Sequence, residues 1–175
     1  MSFNRHLFSS LSGEWETPQD LYDTLNEEFH FTLDPCATAE TAKCESYFTE
    51  EDDGLSKPWT GNVFVNPPYG KGIINWVSKC YNESRLSANV VVSLLPSRTD
   101  TRWWHEYVMQ ADDIRFIKGG LKFNNSVNSA PFPSVIVIWK NKSSMIDWEK
   151  ELEKIYVEEM RKHILLPELS CASTG

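Results

Sequence analysis

Val63-Phe64-Val65-Asn66-Pro67-Pro68-Tyr69-Gly70 sets a short β-branched and aromatic run directly against two prolines. The run suits a buried strand. Two prolines continue neither a sheet nor a helix, because they fix two φ angles and remove two amide donors. A stiff turn therefore follows the strand. Ile73, Ile74, Trp76, Val77, Cys80 and Tyr81 then recur at helical spacing. Val90-Val91-Val92-Ser93-Leu94-Leu95 comes next, a continuous apolar run of the kind found in strands covered on both faces.

Working outward, Leu21, Leu25 and Phe29 are spaced by four, with Thr17 placed as an N-cap and Pro18 as the first helical residue. His30-Phe31-Thr32-Leu33 reads as a short buried strand ending at Asp34-Pro35, and residues 38–60 as a polar, loop-rich region. Downstream, Ser97-Arg98-Thr99-Asp100 precedes Trp103, Trp104, Tyr107 and Val108 as a capped helix. Ile114-Arg115-Phe116-Ile117 and Ser134 to Trp139 are two further strands, separated by the aperiodic stretch GGLKFNNSVNSAPFP. A loop that long is usually functional or disordered. Strands alternating with helices predict a compact, Rossmann-like α/β fold, mostly parallel, with an antiparallel edge hairpin where the last two strands lack a helix between them. The expected organisation is an N-terminal arm over 1–13, one domain over 14–144, and a charged C-terminal helix and tail over 145–175. In open sheets of this kind ligands bind beyond the carboxyl ends of the strands, near the switch in strand order. Asp34 and Asn66 both stand at strand ends.

No stretch of the 175 residues approaches the roughly 20 apolar residues that cross a bilayer, and the start lacks a secretory apolar region, so a cytoplasmic protein without membrane contact is expected. The four cysteines avoid CxxC spacing and the four histidines form no HxxxH pair, so no metal site or disulfide framework is signalled. The formal charge of -8 is uneven: residues 1–87 hold 14 acidic and 6 basic side chains, whereas residues 88–144 hold 4 and 7. A nucleic-acid face, which draws its affinity from phosphate neutralisation, belongs in the second of these segments.

The turn itself carries chemistry. An exocyclic adenine amine is a poor nucleophile because its lone pair is delocalised into the ring. Two acceptors holding its N–H bonds move that nitrogen towards a nucleophilic, tetrahedral geometry, and Asn66 Oδ1 with the Pro67 carbonyl suits the task. Pro68 stiffens the turn, and Tyr69 is placed to stack on a base taken out of its duplex. The same geometry fits other planar nitrogens: cytosine N4, an RNA adenine or a protein glutamine. A protein of this fold that binds DNA or a partner without turnover is the alternative of another class.

Asn-Pro-Pro-Tyr after a strand resembles the catalytic motif of amino-group methyltransferases. Trp15-Glu16-Thr17-Pro18-Gln19, Leu33-Asp34-Pro35-Cys36-Ala37, Tyr47-Phe48-Thr49-Glu50 through Asp53-Gly54-Leu55, Ser97 through Trp103, Leu121-Lys122-Phe123 and Ala130 through Ser134 are similar to the small phage and prophage DNA N6-adenine methyltransferases. The resemblance runs from about residue 14 to 140. It implies a methyltransferase fold, S-adenosyl-L-methionine as cofactor, double-stranded DNA as partner, and a place in the host cytoplasm, as in phage or restriction-modification systems. It further implies cofactor contacts from Trp15, Thr17, Pro18, Asp34, Pro35, Asp53 and Asn66. The glycine-rich turn usual after the first cofactor motif is absent, Cys36-Ala37-Thr38-Ala39 standing in its place, and only 32 positions separate Asp34 from Asn66.

For DNA, Arg98 and Arg102 flank the turn after the Val90 to Leu95 strand, where they can hold phosphates or pair with Asp100 and Glu106. Lys118 and Lys122 border the long loop, whose Asn124, Asn125, Ser126 and Asn128 offer base-edge donors and acceptors and make it the candidate recognition loop. Ile146, Trp148, Leu152, Ile155, Tyr156 and Met160 give the tail apolar stripes that permit a homodimer.

Overall fold

The computed structural model of the chain describes residues 15–123, 129–142 and 152–161. Residues 1–141 make one compact unit and 142–175 a second, of which 152–161 are helical and exposed. The N-terminal arm and the tail positions Ile146 and Trp148 lie outside the described residues. In the first unit the elements run α1 (Gln19–Phe29), β1 (Leu33–Asp34), β2 (Ser46–Tyr47), β3 (Gly61–Val65), α2 (Ile73–Leu86), β4 (Ala88–Pro96), α3 (Arg102–Glu106), β5 (Asp113–Phe116) and β6 (Ser134–Lys140).

The six strands form one sheet in the order β2-β1-β3-β4-β6-β5. The pairs among β1 to β4 are parallel, with Leu33 opposite Val63 and Val63 opposite Val91, while β6 is antiparallel to both β4 and β5. The fold is thus the mostly parallel, Rossmann-like α/β arrangement expected, with a β5-β6 hairpin at one end. The antiparallel strand is β6, which lies inside the sheet; β5 forms the edge. Strand order reverses between β1 and β3, so Asp34, the last residue of β1, and Asn66, the first after β3, stand at the carboxyl ends of neighbouring strands at a switch point.

Both faces of the sheet are covered, which is why β4 reads as an unbroken apolar run. On one face, Ile73, Val77 and Cys80 of α2 and Trp103 and Trp104 of α3 pack with Val63, Val65, Val91, Leu95 and Val137. On the other, Tyr22, Leu25 and Phe29 of α1 pack with Phe31, Phe64, Val92, Leu94, Ile136 and Ile138. The alternation follows the two-residue period of a strand. Ser93, the polar interruption in β4, is fully buried and donates to the Val65 carbonyl at 3.0 Å.

Three local expectations change. His30 is not in a strand: it takes a left-handed φ of 50° as the C-cap of α1, its amide donating to the Asn26 carbonyl, and β1 starts only at Leu33. β2 arises within the polar 38–60 stretch; both its residues are exposed, so it carries no apolar pattern to read. Thr17 does not cap α1. Pro18 occupies the N-cap position and α1 has no side-chain cap, because the Thr17 hydroxyl is engaged elsewhere. Nor does a side chain cap α3, whose N-cap residue is Thr101.

The loop before β3 is fastened to α2 by a buried carboxylate. Glu83 accepts from the Trp59 amide at 3.2 Å and from Lys79 Nζ at 2.5 Å, and the Ser87 hydroxyl lies 2.8 Å away. Burial alone would raise the Glu83 pKa, but these donors outweigh it and hold the carboxyl below its ordinary value. Trp59, itself without exposed surface, donates from Nε1 to the Gly54 carbonyl at 2.8 Å, so the Asp53-Gly54 turn is positioned through this network. Glu83→Ala should lower the unfolding free energy by roughly 3 kcal/mol in a urea titration, since it strands Lys79 and the Trp59 amide; an unchanged midpoint would contradict the role assigned to the carboxylate.

Candidate active site

Asn66 leaves β3 half-buried, and both donors of its amide are committed. Nδ2 donates to the Trp15 carbonyl and, at 2.9 Å, to Thr17 Oγ1. Oδ1 is buried and has no hydrogen-bond partner among the described residues. Leaving a buried acceptor unpaired costs on the order of 1–3 kcal/mol, so such an atom marks a place where a donor is expected to arrive. Pro67 is buried and Pro68 exposed. Tyr69 is held at its far end, its hydroxyl donating to the Leu94 carbonyl at 3.1 Å, and burial pushes its phenol well above the ordinary value. Phe132 and Phe123 meet its ring at centroid distances of 5.5 and 6.2 Å, both near perpendicular. The ring is therefore fixed in tilt and in depth.

A cavity lies on each side of this turn. The larger, about 820 Å³, has Asn66 and Pro68 in its wall; the smaller, about 330 Å³, has Tyr69 and Gly70. Both fall in the range that holds small-molecule ligands, roughly 300–1,000 Å³. The turn is the partition between them.

The larger cavity is acidic. Among the described residues, Glu16, Asp34, Glu50, Glu51 and Asp53 line it against a single basic residue, Lys43. Lys43 is itself engaged, with Nζ 3.0 Å from Gln19 Oε1 and 3.7 Å from Glu16 Oε1. Asp34 is only 4% exposed; burial raises its pKa to about 6, against the opposing effect of the Lys43 and Cys36 amides, which donate to it at 3.2 and 3.3 Å. Where a glycine-rich turn is usual, Thr38 and Thr41 instead close the turn by mutual hydrogen bonds, and Cys36, Ala37 and Ala39 present small side chains to the cavity. Asp53 sits at a left-handed φ of 52°, and Gly54 is pressed so close to Pro35 that an added Cβ would stand 2.0 Å from the Pro35 carbonyl oxygen. Only glycine fits there.

Trp15, Thr17, Asp34, Pro35, Asp53 and Asn66, distant in sequence, thus line one cavity. Pro18 does not; it starts α1. Trp15 also packs edge-on against Phe123 and Phe132, both at 5.2 Å. Arg98 is exposed and lines the smaller cavity, whereas Arg102 pairs with Glu106 at 2.7 Å and is not among its lining residues. Lys118 and Lys122 are exposed; Asn124, Asn125, Ser126 and Asn128 lie outside the described residues. The smaller cavity adds Thr101, from the Ser97 to Trp103 stretch but given no role in the sequence reading, and Lys71, which the sequence did not single out. They meet because the exit of β4 folds beside the Asn66 turn.

Comparison with known proteins follows the same stretch of chain. The family described as DNA N-6-adenine-methyltransferase (Dam) matches residues 5–161. A DNA N-6-adenine-methyltransferase of Escherichia phage T1 is 30% identical over 110 residues, 61% of this chain and 45% of the phage protein. One of Haemophilus phage HP1 is 30% identical over 106 residues, 59% of this chain and 61% of its own length. The matched region therefore spans about half the length of these relatives.

Asp34 yields a pH dependence. Because burial disfavours its charged form, the folded state keeps this proton up to about pH 6, where an unperturbed carboxyl releases it near 3.8. The contribution of the protonated group to stability is complete below 3.8 and lost as pH rises through about 6, a change of roughly 3 kcal/mol. Denaturant unfolding from pH 4 to 7 should show this downward contribution, and Asp34→Asn should remove it; identical pH profiles for the two proteins would refute it.

Proposed function

The chain belongs to the DNA N-6-adenine-methyltransferase family, and on that footing we propose that it transfers a methyl group from S-adenosyl-L-methionine to the N6 amine of an adenine turned out of double-stranded DNA. The observation that carries this reading is Asn66 Oδ1, buried and without a hydrogen-bond partner among the described residues, on a turn whose residues line two cavities.

The residues of the larger cavity fit the cofactor. Its carboxylates suit a ligand that carries an ammonium and a sulfonium, with Asp34 as the buried charge and Asp53, Trp15, Thr17 and Pro35 lining the same space as Asn66. When bound, the cofactor supplies an activated methyl group. Asn66 Oδ1 then accepts one N–H of the adenine amine and the Pro67 carbonyl the other, drawing the nitrogen lone pair out of conjugation and aiming it across the partition. Much of the catalysis comes from this alignment, since both reacting groups are held by a stiff turn. The amine loses one proton, which passes to water.

The smaller cavity takes the base. Tyr69, Ile73, Trp103 and Phe132 offer it apolar walls that replace the stacking lost on extrusion, while Lys71 and Arg98 stand beside it for the adjoining phosphates. Arg102 joins them if its pairing to Glu106 is exchanged for a phosphate. Lys118, Lys122, Asn124 and Asn125 complete the DNA face of this reading, with the 124–128 loop reading sequence. Among the described residues no helix is long and apolar enough to cross a membrane. The setting proposed is the host cytoplasm. A homodimer through 152–161, where Leu152, Ile155, Tyr156 and Met160 are exposed, belongs to the same reading and predicts a sedimenting dimer.

Incubating the protein with labelled methyl donor and DNA, then digesting to nucleosides, should return N6-methyladenine, with Asn66→Ala lowering the rate by about a hundredfold or more. N4-methylcytosine as the product, or full activity in the variant, would overturn the assignment. Cofactor affinity should weaken as pH falls through about 6, because protonation removes the negative charge of Asp34. Calorimetric titration between pH 5 and 8 checks this, and an affinity independent of pH would count against Asp34 as a counter-charge.

A further inference from the structure

Resting on the methyl-transfer reading above, we propose that Thr17 is a positioning residue for the reaction: its hydroxyl, together with the Trp15 carbonyl, holds the Asn66 amide in the one orientation that leaves Oδ1 free to accept from the substrate amine. The two ends of an asparagine amide are nearly equal in size, so its neighbours decide which end faces the site. The Trp15 carbonyl can only accept, and therefore requires Nδ2 on its side. Thr17 Oγ1 takes the remaining N–H at 2.9 Å. With both donors consumed, only the oxygen is left, and it is the atom found buried without a partner. A reversed amide would set Oδ1 against the Trp15 carbonyl and offer two N–H groups to an amine that itself needs acceptors.

Thr17 gives up an ordinary role to do this. A threonine just ahead of a proline-started helix normally turns its hydroxyl onto the helix amides. Here α1 has no side-chain cap, and the hydroxyl, on a residue only 4% exposed, serves an amide 49 positions away. Trp15, Glu16 and Thr17 also line the larger cavity, so a ligand there bears on the segment that aims Asn66. The Thr17 hydroxyl, accepting from Asn66, keeps its own proton for such a ligand.

Thr17→Val keeps shape and removes the acceptor, and Thr17→Ser restores it. In ¹⁵N-labelled protein the Asn66 side-chain amide, assigned by its disappearance in Asn66→Ala, should show two slowly exchanging protons. In Thr17→Val one of them should become fast. In the same variant kcat should fall roughly tenfold, the worth of a lost hydrogen bond, beyond any change in the affinity for S-adenosylhomocysteine; Thr17→Ser should recover most of kcat. Unchanged Asn66 protons in Thr17→Val, a loss confined to cofactor affinity, or an equal loss in Thr17→Ser would each overturn the proposal. Melting curves verify folding, and Thr17→Ala replaces the valine variant if that one does not fold. The amide exchange is read without turnover, so a wild-type protein that makes no N6-methyladenine refutes the methyl-transfer reading separately, leaving the positioning arm to be judged by its own signals.

Discussion

The Asn66 amide is satisfied on one side only, and much of the molecule serves to keep it so. Its nitrogen is tied to Trp15 and Thr17, and its oxygen is buried without a hydrogen-bond partner among the described residues. Such an atom persists only where the surroundings over-determine it, because a mobile amide would rotate to find a partner. Two prolines, a strand end and a distant N-terminal segment supply that rigidity. The cost of the unpaired acceptor is returned when a donor arrives.

Topology places this amide where two ligands can meet. The strand order reverses between β1 and β3, opening a crevice at their carboxyl ends, and the exit of β4 adds Pro96, Arg98 and Thr101 on the far side. The Asn66 turn projects between the two spaces. The two spaces differ in chemistry: carboxylates line the larger, the buried Asp34 among them, whereas aromatic rings line the smaller beside Lys71 and Arg98. Five acidic residues, all from the more negative first half of the chain, meet in the larger cavity.

The sheet was legible because its central strands are covered on both faces, which makes Val63 to Val65 and Val90 to Leu95 apolar without interruption. The Asn66 turn was legible because two prolines have few other uses after a strand. His30, β2 and the role of Thr17 were not. A left-handed residue leaves no mark in hydrophobic periodicity, and a two-residue exposed strand has no pattern at all. Thr17 displayed the local signature of a helix cap, and only the long-range approach of Asn66 reveals a different partner. The meeting of Lys71 with Thr101 was hidden for a like reason, since proximity across a sheet is not written in spacing. Arg102 shows the reverse: the pairing with Glu106 is an i,i+4 contact that sequence spacing does expose.

The most direct measurement is a structure of the protein with a methyl-donor analogue and a DNA duplex carrying an adenine target. The account predicts the adenine N6 within hydrogen-bonding distance, about 3 Å, of Asn66 Oδ1, with Nδ2 still bound to Trp15 and Thr17 and the base lying in the cavity walled by Tyr69 and Phe132. An adenine left in the stack, a reversed Asn66 amide, or an N6 amine turned away from Oδ1 would contradict it.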